Sequence, residues 1–229
     1  MLLTDKVIEE TNKYFSLKED TPVEYAYMKY PKLLPIMRFK VHRYNVDNFG
    51  TITTMDTNAM FGMMKLSTFV FTPSIGLNVP FLLIDTMCMK NKSLAYIEYY
   101  DCTKDGAKLP ESDNQVVEFA KFKDYDEKPA WYINRRTPYS LIKEKGDNSQ
   151  EELDNMVLTC LKRYLKGAKS SDINTDNLIG LYKFQQEMLD KGNPSSETLN
   201  KVLGKDGARI FFEKVIMPVN KPNMVWFKL

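Results

Sequence analysis

Three stretches of this chain are apolar at nearly every position yet too short to be buried helices. They span residues 66–73, 80–87 and 94–100, are rich in Phe, Val, Ile, Leu and Tyr, and are bounded by Pro73, Gly76, Pro80 and the polar turn Lys90-Asn91-Lys92-Ser93. Runs of this length and composition between turn residues predict consecutive antiparallel strands. Residues 37–43 and 51–56 predict two earlier strands, joined through Asn45 to Gly50. Trp131, Tyr132, Ile133 and Asn134 predict a last one.

Helical spacing flanks these strands. Thr4 can cap an amphipathic helix running to residue 17, with Val7, Ile8, Thr11, Tyr14 and Phe15 on one stripe. Residues 22–35 read as irregular, and 103–114 as a polar loop leading to a short helical patch around Val116, Val117, Phe119 and Ala120. Ser149 to Glu152 read as a capping box, followed by Leu153, Met156, Val157, Cys160, Leu161, Tyr164 and Leu165 at helical spacing. A further helix is predicted over 175–189, stopping at Gly192. Asn193 and Pro194 open the next, which Gly204 separates from a helical segment at 206–215. Clustered strands between helices predict an α/β protein: a three-layer α/β/α sandwich with a central, mainly antiparallel sheet, built as one domain over residues 1–229.

Composition removes several classes of function. A net charge of +2, from 32 basic and 30 acidic residues, argues against a strongly basic nucleic-acid binder. Cys88, Cys102 and Cys160 lack the spacing of a zinc site or a disulfide framework. The single histidine, His42, leaves no multi-histidine metal centre and reads as a solvated or hydrogen-bonded structural residue. Neither a dinucleotide fingerprint nor a P-loop is present. No run of about 18 apolar residues predicts a membrane span, and no leader is recognisable at the N-terminus. The expected location is the cytoplasm, or the plastid stroma if the source is a phototroph.

One residue breaks the most apolar run. Asp85 follows Phe81, Leu82, Leu83 and Ile84, and a charged carboxylate is costly to bury, so Asp85 is paired, protonated or functional.

Two sets of residues resemble a known family. Phe71-Thr72-Pro73 end a strand, Val79-Pro80 follow seven residues on, and Asp85 lies five residues beyond Pro80. Near the other end, Asn193 opens a helix, Leu199, Leu203 and Gly204 form a turn, and the last helix ends near Pro218. Order and spacing together resemble the ferredoxin-dependent bilin reductases, the family of phycocyanobilin and phytochromobilin synthases, related in fold to red chlorophyll catabolite reductase. Thr54 and Thr68 stand where some members carry histidine, and Pro194 where many carry Asp, while Asp56 keeps an acidic position.

The resemblance implies reduction of biliverdin or a related open-chain tetrapyrrole by sequential one-electron transfers from reduced ferredoxin, with protons supplied by the protein. It implies no built-in flavin, nicotinamide or metal. Asp85, Asp56 and Asn193 become candidate catalytic residues, with Asp85 as principal proton donor. Thr54 and Thr68 become candidate pocket residues. Arg135 and Arg136 are candidate partners for the pigment's propionates, with one of the two facing inward. Partners would be the bilin and ferredoxin, the latter docking on a cationic patch drawn from Lys90, Lys92, Lys121, Lys123, Lys162 and Arg163. The alternative on the same scaffold is a non-catalytic tetrapyrrole carrier.

Overall fold

A computed structural model describes residues 2–103, 106, 107, 109, 114–146, 150–173 and 179–219. The expected capping residue Ser149, the loop residues 104, 105 and 110–113, and the start of the helix expected at 175 lie outside these.

The apolar runs form the middle of one antiparallel sheet. Its strands are β1 (Leu17–Glu19), β2 (Tyr27–Tyr30), β3 (Met37–Val46), β4 (Gly50–Ala59), β5 (Met64–Pro73), β6 (Phe81–Met89), β7 (Lys92–Tyr100), β8 (Lys123–Asp124) and β9 (Leu141–Lys145). They lie in the order β1-β3-β4-β5-β6-β7-β9-β8, with β2 also pairing β3. The stretch β3 to β7 is a meander of hairpins, so sequence neighbours are sheet neighbours.

Both faces are covered, which is why the central strands are apolar at successive positions. On one face, Ile52, Phe69, Phe71, Leu82, Ile84, Ile97 and Tyr99 pack under α1 (Leu3–Asn12) and α4 (Gln150–Lys169). On the other, Phe39, Val41, Met55, Val70, Phe81, Leu83 and Tyr100 pack under α5 (Gly180–Asp190), α6 (Ser196–Phe211) and a π-helical turn at Phe212–Ile216. Short helices α2 (Val23–Ala26) and α3 (Gln115–Glu118) lie in the connections. This is the expected α/β arrangement with a mainly antiparallel sheet.

Five local expectations change, the first being the cap of the first helix, which falls at Leu2 and leaves Thr4 inside the helix. The first helix ends at Asn12, and the chain turns into β1 rather than staying helical to residue 17. The segment 22–35 holds α2 and β2. Trp131–Arg135 form a 3₁₀ turn, not a strand; its aromatic and β-branched composition imitates a strand between Pro129 and Pro138. The sheet instead continues through β9, whose charged residues hid it: Lys143 is 4% exposed and its ammonium pairs with Asp124 of β8. Gly204, at φ 73° and ψ 166°, breaks α6 where the sequence placed a separation.

Candidate functional site

The face under α6 is incompletely filled. A cavity of about 420 Å³ lies between the sheet and the start of α6, within the usual range for a small-molecule site. Its floor is the outer half of the strands: Met55 and Thr57 of β4, Leu66 of β5, Asp85 and Met87 of β6, Tyr96 and Glu98 of β7. Its walls are Tyr125, Glu127, Lys128, Tyr132 and Arg136 on one side and Pro194, Ser195, Thr198 and Leu199 on the other. A crevice of about 30 Å³ runs on from it past Thr68 and Asn193 and shares Met55, Pro194 and Ser195.

Asp85 sits where β6 leaves the fully packed part of the sheet. Thr68, directly opposite on β5, donates its hydroxyl to Asp85 Oδ1. That bond favours the carboxylate, but enclosure by protein outweighs it and raises the carboxyl from its ordinary 3.8 to about 6. Tyr96 faces Asp85 from β7, and burial raises its phenol above the ordinary range.

A second buried carboxyl lies one same-face position along the ladder. Glu98, opposite Leu83, is 2% exposed. It accepts a 2.7 Å hydrogen bond from Tyr100 Oη and is ion-paired with Arg136. Desolvation outweighs the opposing pull of Arg136 and Tyr100 and raises Glu98 from its ordinary 4.5 to about 7. Arg136 itself remains charged, because Glu127 grips the guanidinium through both carboxylate oxygens and Glu98 lies beneath it. Arg136 therefore holds two carboxylates in place, one on the rigid sheet and one on the connection before the 3₁₀ turn.

Of the residues expected from sequence, Asp85 and Thr68 are hydrogen-bonded to each other, Asp85 lining the cavity and Thr68 the adjoining crevice. Asn193 lines the adjoining crevice and shapes the start of α6: its Oδ1 accepts from the Ser195 amide at 3.1 Å and its own amide donates to Ser196 Oγ at 2.7 Å. Arg136 faces the cavity and Arg135 does not. Arg135 pairs with Glu187 of α5 at 3.1 Å and lies over the Phe184 ring.

Asp56 and Thr54 are not brought to the cavity. They share one face, as alternation demands, but it is the opposite face, under α1. Asp56 accepts hydrogen bonds from Thr4 Oγ1 at 2.8 Å and Ser67 Oγ at 2.6 Å, tying α1 to the sheet. The β4–β5 hairpin closes through Met60, Phe61, Gly62 and Met63, and this count makes Met55 the partner of Thr68. A shift of one residue exchanges the two faces, so Met55 takes the cavity position expected for Asp56.

Sequence reading missed Glu98, Glu127, Tyr96 and Tyr132. Glu98 carried the same signal as Asp85, a carboxyl inside an apolar strand. Glu127 carried none.

His42 is structural, with its Nδ1 2.7 Å from Glu19 Oε1. Most of the expected cationic patch is paired. Lys92 and Lys123 share Glu144, Arg163 binds Glu118, and Lys162 lies 3.9 Å from Glu10.

The mainly antiparallel sheet with helices over it is of the α/β class and is consistent with the fold of the bilin reductases. In particular, the structure is similar to the crystal structure of phytochromobilin synthase from tomato in complex with biliverdin. The TM-score is 0.72 at 12% identity, covering 98% of this chain and 86% of that one. No family model matches the sequence, and no curated protein sequence matches it. At that identity the likeness establishes the fold.

Proposed function

We propose that this chain binds an open-chain tetrapyrrole of the biliverdin type in the cavity under α6 and reduces it with electrons taken singly from reduced ferredoxin. The observation that carries the reading is the placement of Asp85: a part-buried carboxyl, held by Thr68 on the floor of a ligand-sized cavity, where desolvation pushes it up to about 6. The similar tomato structure contains biliverdin, which supports the choice of ligand.

Reducing one carbon–carbon double bond takes two electrons and two protons. Ferredoxin supplies each electron. Asp85 releases one proton to the pigment as electron density builds there, the second proton comes from solvent, and the resulting carboxylate, oriented by Thr68, is reprotonated from solvent before the next turnover. Pyrrole N–H groups suit a floor carrying Asp85 and Glu98. The pigment's propionates suit Lys128, which lines the wall beside Arg136; the Arg136 guanidinium is already taken by Glu127 and Glu98. Asn193 closes the inner end. No flavin, nicotinamide or metal enters this scheme.

Mixing the purified chain with biliverdin tests the ligand: binding shifts the pigment's visible absorption, and an unchanged spectrum defeats the reading. Binding without reduction on adding reduced ferredoxin defeats the enzymatic part and leaves a carrier.

A further inference from the structure

Away from the cavity floor, two neighbouring loops expose apolar side chains. Residues 31–36 present Leu33 at 95%, Leu34 at 78% and Ile36 at 43% exposure. The turn between β4 and β5 presents Met60 at 53%, Phe61 at 81% and Met63 at 59%. The loops are joined by a hydrogen bond from the Met60 amide to the Ile36 carbonyl at 2.8 Å. Single exposed apolar residues are ordinary, but a contiguous group marks an interaction surface.

The turn sequence is unfavourable unless that surface is used. Met60 and Phe61 have φ of 51° and 56°, the left-handed region that hairpin turns normally fill with Asn, Asp or Gly. Bulky apolar residues are disfavoured there by conformation and by solvent alike.

Charge supplies a second, independent observation. On the second rung inside the tips, Lys29, Arg38, Asn58 and Lys65 lie side by side across β2, β3, β4 and β5, all exposed. Like charges facing each other across a ladder repel. Among the described residues, neither Lys29, Arg38 nor Lys65 has a carboxylate partner, and the sequence places no Asp or Glu within 27–38 or 58–65.

We propose that these tips and the cationic rung behind them form a shallow contact with an anionic lipid surface. Protruding apolar tips reach the acyl boundary while cations on the second rung sit at headgroup depth, the layering an interfacial membrane contact requires. A folded protein partner would offer a surface to a flatter patch, whereas Leu33 stands almost wholly free of its own chain. Met37 and Met64, which border these tips, also line the cavity, so the contact lies beside the cavity wall.

Vesicle binding itself needs no pigment and stands apart from the reading of the cavity. The full chain is floated with vesicles of phosphatidylcholine alone and with about 30 mol % phosphatidylglycerol. It should bind the anionic vesicles and not the neutral ones. Leu33→Ser with Phe61→Ser should weaken binding by about tenfold or more, and Arg38→Gln with Lys65→Gln should remove the preference for anionic lipid. Both variants alter exposed positions and should keep wild-type thermal unfolding and biliverdin affinity. Absence of binding to anionic vesicles, or equal binding by wild type and variants, overturns the proposal. Loss of ferredoxin-driven reduction in the Leu33/Phe61 variant, with no vesicle binding by wild type, would assign the patch to a protein partner instead.

Discussion

At Asp85, the conflict between carboxyl and surroundings was visible in sequence, because four apolar residues precede it. The structure turns that conflict into a titration. Folding raises the carboxyl from 3.8 to about 6, so between those values the native chain binds more protons than the unfolded one. The contribution of Asp85 to stability is therefore full below about pH 4 and is lost as pH rises through 6. Asp85→Asn should accordingly gain stability relative to wild type as pH rises from about 4 to about 6.5, then level off. Denaturant titrations across that range check it, and a difference flat with pH would show an unshifted carboxyl. Arg136 makes a second case. Removing it leaves Glu98 buried without its cation, which costs about 3–5 kcal/mol. Arg136→Ala should lower stability by that order, and adding Glu98→Gln should recover most of it. A loss below about 1 kcal/mol would place the pair in the class of surface bridges. The pairing itself was not legible, since Glu127 lies in a connection with no periodic signal.

Among the elements, the central strands were legible as short continuous apolar runs between turn residues, and the long helix α4 because its burial follows its helical spacing. The short 3₁₀ turn at Trp131–Arg135 and the charged strand β9 were not, because tertiary contacts override local composition in both. The faces of β4 were lost for a different reason: hairpin register depends on the number of residues in the turn, and one residue exchanges the sides. The placement of α5 depends on one glycine. A Cβ at Gly180 would lie 1.8 Å from the Cys102 carbonyl oxygen, so the helix rests directly on the chain leaving β7. Gly180→Ala should destabilise the fold by about 1–3 kcal/mol through forced separation. Gly146→Ala, where a Cβ meets nothing within 4 Å, should change stability by no more than about 0.5 kcal/mol. Equal effects of the two in chemical denaturation would contradict this packing.

For the whole molecule, 12% identity accompanies a TM-score of 0.72, as expected when a fold is specified by hydrophobic pattern and turn placement rather than by particular side chains. The proposed function adds a transient partner. Lys92 and Lys123 share the single carboxylate of Glu144, and Lys90 lies in the adjoining turn, so that edge of the sheet keeps a net positive charge suited to an acidic electron carrier. Exposed charges are screened over about 10 Å at 0.1 M salt. Ferredoxin-driven reduction should therefore slow as ionic strength rises from about 0.05 to about 0.5 M, while biliverdin affinity changes less. A rate indifferent to salt would point to a donor that docks without charge.

The central claim, that the enclosed carboxyl of Asp85 delivers a proton to a bound bilin, is tested most directly by anaerobic mixing of biliverdin-loaded protein with reduced ferredoxin, followed by visible absorption. Wild type should convert the pigment, and Asp85→Asn should bind it with similar affinity yet convert it about 10²–10⁴-fold more slowly. Conversion by Asp85→Asn at the wild-type rate would contradict the account.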